Sequence, residues 1–415
     1  MEKILRAVEK IIPKKLYRLG QPVYHLLINT LGAIIYGLPA KKLYVIGVTG
    51  TKGKSTTTEI INSILEANGL KTAVSNTIRF KIGGNSRPNK FKMSMPGRFF
   101  LQKHLHDAVI AGCTHAVVEI TSEGSKQFRN KYIPLDAFVF TNIAPEHIES
   151  HGSFKKYLQA KLNIGRNLKK NVETIGVINA DDPEHDAFIA LPFSKKVSYS
   201  LSDAKPIDLS NGIKMRFKKN TLHSHLNGEF NAYNILAAAT LCEVMGISDE
   251  IIRTGIEKLV EVPGRVQKIK SDRGFEIVVD YAHTAESLEA LYRAFPTQKK
   301  ICILGNTGGG RDKWKRPVMA KIADNYCDEI ILTNEDPYDE DPKQIVDEMA
   351  AAISQKPLQI IMDRREAINT AIKKASAGSV ILITGKGTDP YLMEANGKKT
   401  PWSDYEIARE ELAKF

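Results

Sequence analysis

Residues 45–60, VIGVTGTKGKSTTTEI, restrict the possible folds more than any other stretch of this 415-residue chain. Val45 to Val48 form an apolar run suited to a strand covered on both faces, and Gly47, Gly50 and Gly53 free the backbone for a sharp turn. Ser55 to Glu59 then open a helix. Unpaired N–H groups and the positive end of the dipole at such a helix start favour a polyphosphate guest. In a P-loop, Gly50, Thr51, Lys52 and Gly53 would cradle the phosphates. Lys54 would reach the terminal ones, and the hydroxyl of Ser55 or Thr56 would ligate Mg2+. The strict P-loop pattern has glycine where this chain has Val48, so an ordinary strand-to-helix turn is the plain alternative.

From about residue 43 the chain alternates apolar runs and helical stretches. Candidate strands are 43–48, 73–75, 116–120, 137–141 and 175–179, then 277–280, 301–305, 329–333, 360–362 and 380–384. The alternation predicts an α/β fold: a P-loop central domain with a doubly wound, mostly parallel sheet, plus a C-terminal Rossmann-like α/β domain. Pro and Gly in EVPGR (261–265) mark the break, giving an N-terminal segment 1–42, a central domain 43–262 and a C-terminal domain 263–415. Residues 185–230 read as short strands and turns. A chain of this length is too long for one core.

Net charge is +12, yet basic residues are dispersed, without the aromatic interleaving of an RNA-binding sheet, so anionic small substrates are favoured over nucleic acid. Cys113, Cys242, Cys302 and Cys327 form no C-x-x-C pair, so neither a zinc site nor a disulfide framework is expected, and a reducing cytoplasm fits. The N-terminus reads as a basic amphipathic helix (1–20) followed by a 16-residue apolar run (23–38) that is too short and too polar for a confident span. Two readings follow: a hairpin packed on the next domain, or a peripheral anchor on the inner membrane face.

Ligands in such sheets gather at strand C-termini. Glu119 ends one strand and His147 follows the next, so a carboxylate and an imidazole could hold a second metal beside the nucleotide. Taken singly, the first reads as a cap partner and the second as an ordinary hydrogen-bonded histidine.

TGTKGKST, EITSEG, TNIAPEHIESHGS, YLQAKLNIG, NADD, GEFNAYN, VPGR, VVDYAHT, GRDKWKRP and GKG stand in one order between residues 45 and 389. Together they resemble the Mur ligase superfamily of ATP-dependent amide-forming enzymes. Within it, DYAHT, RDKWKRP and DRREAI are similar to the MurE-type branch, which adds the third amino acid to the UDP-N-acetylmuramoyl dipeptide. The resemblance implies an acyl-phosphate mechanism with ATP and two Mg2+ ions: Ser55 and Glu119 at the first ion, Glu119, His147 and Lys161 at the second. It also implies that Lys161 is carbamylated by CO2, although by composition Lys161 would be a surface lysine. Lys54, Lys161 and His147 would be catalytic. Asn179, Asn231, Asn234, Arg265, Asp280, Tyr281 and His283 would contact the nucleotide. Ser94, Thr121, Gln127 and Arg129 would contact the acceptor, and Arg311, Glu335, Asp336, Tyr338, Gly385 and Asp389 the remaining substrate groups. A monomer acting on a small muramoyl-peptide and an amino acid is expected.

Three departures qualify the resemblance. Only about 42 residues precede the central domain, which leaves UDP recognition unsupported. The family's Asp-Asn-Pro-Arg appears as Glu335-Asp336-Pro337-Tyr338, and its Gly-His-Glu as Gly387-Thr388-Asp389. Tyrosine cannot form the bidentate pair that arginine makes with a distal carboxylate, so diaminopimelate, lysine and other amines stay open. Other readings are a folylpolyglutamate-synthetase-like ligase, an amidating subunit whose four-cysteine insert is missing here, and a non-catalytic basic P-loop protein that binds nucleic acid. Arg311, Lys315 and Arg316 read as a basic loop cluster whose plain alternative is solvated charge.

Overall fold

The computed structural model describes residues 14–415 apart from 98, 147, 311 and 312, and side chains from residue 21 onward apart from those four and 148 and 149. The described chain falls into two compact units, divided at Ser200/Leu201, Ile235/Leu236 and Gly255/Ile256. Each is built on its own sheet.

The first unit carries β1 (Tyr44–Thr49), β2 (Thr72–Ser75), β3 (Arg79–Ile82), β4 (Asn85–Pro88), β5 (His115–Glu119), β6 (Ala137–Phe140), β7 (Ile175–Asn179) and β8 (Lys195–Tyr199). They form one sheet in the order β4-β3-β2-β5-β1-β6-β7-β8, in which only β3 runs against the other strands. β1 lies between β5 and β6, with Val48 opposite Glu119 and Thr49 opposite Phe140, so the loops leaving these three strands share one edge. Val45, Ile46 and Val48 are fully buried. Burying one such side chain contributes about 1.5–3 kcal/mol. On one face Leu101, Leu105, Phe138, Tyr157 and Phe188 belong to a single core. Helix Lys54–Ala67 supplies Ile60, Ile61, Ile64 and Leu65, all buried, and Gly255 comes so close to it that an added Cβ would lie 2.5 Å from the Ile64 Cα.

Of the N-terminal stretch read as a hairpin or a peripheral anchor, the described part is a single helix, Lys14–Ile35, that runs through Gly20, Gln21 and Pro22. Proline in a helix costs most where it removes an N–H bond from a buried turn; Gln21 and Pro22 are exposed. Residues 1–13 lie outside the described chain.

The second unit contains a three-stranded meander, β9 (Ile207–Asp208), β10 (Ile213–Phe217) and β11 (Asn220–Ser224), in the stretch expected to hold short strands. Its main sheet comprises β12 (Gln267–Lys270), β13 (Glu276–Val279), β14 (Lys299–Leu304), β15 (Glu329–Leu332), β16 (Leu358–Ile360) and β17 (Ser379–Ile383), in the order β12-β13-β17-β14-β15-β16. Only β12 is antiparallel. Separate cores cover its two faces, one including Leu288, Met319 and Met349 and the other Ile368, Ile372 and Ile407, as a doubly wound sheet requires. A last hairpin pairs β18 (Tyr391–Met393) with β19 (Lys399–Pro401).

Two further expectations change here. Cys302 on β14 and Cys327, which ends helix Lys315–Tyr326, are joined in a buried disulfide with an S–S distance of 2.04 Å. The pair is 25 residues apart in sequence, and only packing brings it together. Arg316 is not solvated charge. It is fully buried and donates to Glu348 at 2.7 Å and Glu340 at 2.9 Å.

Candidate active site

The loop after β1 is held from the β6 side. Thr51 N donates to the Asn142 carbonyl at 2.8 Å, Lys52 N to Asn142 Oδ1 at 2.9 Å, and Thr141 Oγ1 to the Lys52 carbonyl at 2.7 Å. Gly50 has φ 156°, and an added Cβ would lie 1.9 Å from Thr141 Oγ1, so only glycine fits. Gly53, with φ 82°, is the residue before helix Lys54–Ala67. The loop's shape is therefore set by its neighbours, with the N–H groups at the helix start left to meet an anion. Lys54 Nζ donates to the carbonyls of Gly50 (2.9 Å) and Thr51 (2.8 Å). Ser55 and Thr56 follow in the first turn, both buried.

Glu119, at the end of β5, is 2% exposed and faces this turn. It accepts from Ser55 Oγ (2.7 Å), Ser94 Oγ (2.8 Å), and both the backbone N and Oγ1 of Thr77 (3.0 Å each). Burial alone would raise its pKa, but the Lys54 charge and these hydrogen bonds outweigh burial and hold the carboxyl below its usual range. A buried carboxylate ringed by hydroxyl oxygens is a donor set suited to a hard cation such as Mg2+. Thr77 was not foreseen; nothing in the sequence marks a residue between β2 and β3 as facing the end of β5.

Lys161 completes this corner. Ser153 caps helix Phe154–Gly165, accepting from Lys156 N at 3.2 Å, so Tyr157 and Lys161 fall one above the other on the same face. Lys161 Nζ lies 4.8 Å from the centroid of the Tyr157 ring and donates to the Gly50 carbonyl at 2.6 Å. Tyr157 OH lies 3.0 Å from Thr51 Oγ1, tying the same helix to the loop. Burial, reinforced by the nearby Lys54 charge, drives the Lys161 pKa well below that of an ordinary lysine. Such a site favours the neutral amine. Lys52 pairs with Glu146 at 3.2 Å on the rim. His147 lies outside the described residues.

The residues expected to meet the acceptor divide. Arg129 donates to the Met95 carbonyl and to Gln127 Oε1, which draws Gln127 and Arg129 up to the segment carrying Ser94. Thr121 caps helix Ser122–Lys126, accepting from Gly124 N at 3.1 Å. Asn179 donates to the Thr141 carbonyl at 2.7 Å and accepts from Asp181 N at 3.0 Å, which fixes the loop after β7 beside the P-loop support. His151, which sequence reading passed over, is buried between Ser122 Oγ (3.2 Å) and Glu123 Oε1 (2.9 Å), with its ring 5.3 Å from that of Tyr157.

In the second unit, VPGR, DYAHT and GKG converge. Asp280 accepts from Val266 N and Ala282 N at 2.7 Å each, and burial raises its pKa despite the Arg265 charge. The Arg265 guanidinium stacks over the Tyr281 ring at 4.5 Å, and His283 Nδ1 sits 2.7 Å from the Tyr281 carbonyl. An added Cβ on Gly264 would come 2.5 Å from Thr388 N. Asn231 and Asn234 lie one turn apart on helix Glu229–Val244, with Asn234 Nδ2 donating to Asn231 Oδ1 at 2.9 Å.

Beyond β15, Asp336 accepts from Lys386 Nζ and from Met393 N, both at 2.8 Å, and Lys386 lies 3.8 Å from Asp389. Glu335 accepts from Thr307 Oγ1 at 2.9 Å, and its other carboxylate oxygen is buried without a partner among the described residues. Gly385 takes φ 101°, which favours glycine, and an added Cβ would lie 2.2 Å from that oxygen. Tyr338 takes φ 53° and donates its N–H to the Met393 carbonyl at 3.1 Å. DEDP (339–342) is a helix start: Asp341 caps helix Pro342–Ala350. Lys386, fully buried, was missed as a charge partner because the sequence shows only a lysine between two glycines. Arg311 lies outside the described residues.

The sequence pattern described as Mur ligase middle domain matches residues 48–242, and that described as Mur ligase, glutamate ligase domain matches residues 264–387. The UDP-N-acetylmuramoyl-L-alanyl-D-glutamate--2,6-diaminopimelate ligase of Bacillus cereus is 35% identical over 395 residues, covering 91% of this chain and 79% of the relative. The UDP-N-acetylmuramyl-tripeptide synthetase of Roseiflexus is 34% identical over 415 residues, covering 93% and 81%. A solved diaminopimelate ligase of the same name as the first superposes with a TM-score of 0.61 at 30% identity, covering 90% of this chain and 78% of that one. Folylpolyglutamate synthase from Mycobacterium tuberculosis superposes at 0.71 with 15% identity, covering 88% and 93%, a likeness of fold alone.

Proposed function

The chain belongs to the Mur ligase family, and from that premise we propose that it joins a muramoyl-peptide carboxylate to an amino acid at the expense of ATP. The carboxylate attacks the γ-phosphorus, the bond to the bridging oxygen breaks, and ADP leaves an acyl phosphate. The incoming amine then attacks the acyl carbon, inorganic phosphate departs, and the amine loses a proton. Two anions must meet in the first step, so the site has to concentrate positive charge.

The observation that carries this reading is the convergence of Ser55, Glu119, Lys54 and Lys161 on one turn of backbone. On binding ATP, Lys54 exchanges two loop carbonyls for phosphate oxygens. Ser55 and Glu119 would hold one Mg2+, and Glu119, His147 and carbamylated Lys161 the other; bound there, the ions would neutralise charge on the phosphate oxygens. Lys161 becomes an anion by attack of its neutral amine on CO2, with formation of an N–C bond and loss of one proton. Arg265, Asp280, Tyr281, His283, Asn231, Asn234 and Asn179 serve the nucleotide, and Ser94, Thr121, Gln127 and Arg129 the acceptor. Glu335, Asp336, Tyr338, Gly385 and Asp389 receive the amine. The enzyme acts as a monomer in the cytoplasm, with a peripheral membrane contact through residues 1–42.

Phosphate release from ATP tests the proposal. Acceptors are the UDP-muramoyl dipeptide, its UDP-free fragment and folate; amines are diaminopimelate, lysine and glutamate. Turnover requiring a muramoyl acceptor and an amine together is expected. Turnover with folate and glutamate alone would replace the reading with the folylpolyglutamate alternative.

A further inference from the structure

From residue 21 on, helix Lys14–Ile35 packs through small and polar residues among others and leaves a stripe of large apolar side chains exposed. On the packed side, Asn29 Nδ2 donates to the carbonyls of His25 (2.7 Å) and Gln127 (3.1 Å), Thr30 Oγ1 meets Tyr132 OH at 2.7 Å, and Ala33 is fully buried. Gly32 lies so near Phe99 that an added Cβ would fall 2.5 Å from its ring. On the other side Val23, Leu27, Leu31 and Ile34 are 58%, 63%, 50% and 66% exposed, flanked by exposed Tyr24 and Ile35. Spacings of four, four and three residues put them in one stripe roughly a quarter of the helix circumference wide. A helix facing water would carry the opposite pattern.

The surrounding charge identifies a partner. No Asp or Glu occurs between Glu9 and Glu59, whereas Lys10, Lys14, Lys15, Arg18, Lys41 and Lys42 all fall in that interval. Lys41 and Lys42 are exposed just beyond the helix.

We propose that this stripe docks on an anionic lipid bilayer surface, with the helix lying along the interface. Apolar side chains at helical spacing beside a run of basic residues are the two signals that together hold a helix at such an interface. A second copy of the chain fits less well, because pairing the stripe with itself would bring two acid-free basic segments together. The helix does not cross the bilayer: among the described residues, no helix is long and apolar enough to do so. The inference deepens the reading of residues 1–42 as a peripheral contact and is independent of the ligase chemistry.

The test is co-sedimentation of the full chain with vesicles of phosphatidylcholine alone or mixed with phosphatidylglycerol, at low and high salt. Binding only to the mixed vesicles, weakened by salt, is expected, with roughly tenfold weaker partitioning for Leu27→Glu/Leu31→Glu. The milder Leu27→Ser/Ile34→Ser variant, checked by thermal unfolding, should weaken binding in the same direction. No pelleting of the wild type, or pelleting equal in both variants, overturns the proposal. So does a wild-type dimer in light scattering that the variants dissociate, without vesicle binding. ATP turnover in solution is read separately; its loss would count against the ligase reading and leave this one standing.

Discussion

Lys161 Nζ donates to the Gly50 carbonyl across 2.6 Å while the residue is 1% exposed, so a buried amine is built against the backbone of the glycine-rich loop after β1. Burial first, and then the Lys54 charge, disfavour its protonated form. Lys161→Ala should lower ligase activity by about two to three orders of magnitude, as expected for losing one charge-organising group, and short-chain carboxylates should restore part of it. A 13C-labelled CO2 signal from a lysine carbamate should appear in the wild type and vanish in the variant.

The same burial fixes a pH dependence. The folded-state pKa of Lys161 lies below the unfolded value of 10.5, so between the two the unfolded chain binds more protons. Stability therefore rises with pH across that window, and below it a protonated lysine must be buried. In CO2-free buffer, where the amine is uncarbamylated, Lys161→Met should be more stable than the wild type in urea near neutral pH, with a flatter slope toward alkaline pH. A variant less stable than the wild type would contradict this.

Glu119 gives the opposite sign. Its folded pKa is depressed by Lys54 and the hydroxyl donors, more than burial raises it, so its stabilisation is complete above the unfolded value of 4.5 and is lost as pH falls through the lower folded value. Glu119→Gln should lose less stability on acidification from about pH 6 to about pH 3 than the wild type. It should also lower turnover by about two to three orders of magnitude and weaken its dependence on Mg2+. The readouts are urea midpoints across the pH range and rates across an Mg2+ titration.

Much of this corner was legible before the fold was known, and the reason is local. The strand that feeds the loop is a continuous apolar run, the glycines sit where only glycine fits, and Ser153 announces the helix that carries Lys161. What stayed hidden depends on partners distant in sequence. Thr77 matters because β2 lies beside β5, and Lys386 matters because Asp336 lies 50 residues away. β3 and β4 escaped notice because RFKI and NSRP form a hairpin at the sheet margin, where one strand is fully exposed and polar. The Cys302–Cys327 bond and the buried role of Arg316 are likewise facts of packing.

Arg364 and Asp404 are both buried and joined by two contacts, Nε at 2.8 Å and Nη2 at 2.7 Å. Arg364 also donates to the Thr384 carbonyl at 2.7 Å, and Trp402 Nε1 donates to Asp404 Oδ1 at 2.8 Å, so the pair ties helix Arg364–Lys374 to the chain end. Removing one partner leaves a buried charge unpaired. Arg364→Ala should destabilise the second unit by about 3–5 kcal/mol, and Arg364→Lys should lose part of that because an ammonium cannot present the same fork. Urea unfolding measures both, and equal stability of all three proteins would refute the assignment.

Tyr338 bears on which amine is used. The related sequences include diaminopimelate ligases, and under the proposed function a tyrosine stands where the resemblance implies an arginine for a distal carboxylate. Its neighbours are Glu335, with one buried carboxylate oxygen unpartnered among the described residues, and Asp336, already bonded to Lys386. A distal carboxylate would meet the carboxyls of Glu335 and Asp336, whereas a distal ammonium would find acceptors there. Lysine should therefore exceed diaminopimelate in kcat/KM by roughly tenfold or more, the discrimination that one charged contact supplies. Tyr338→Arg should narrow the gap, mainly by lowering KM for diaminopimelate. A wild type that prefers diaminopimelate, with no change in the variant, would remove Tyr338 and Glu335 from the amine site while leaving the Glu119 and Lys161 chemistry untouched.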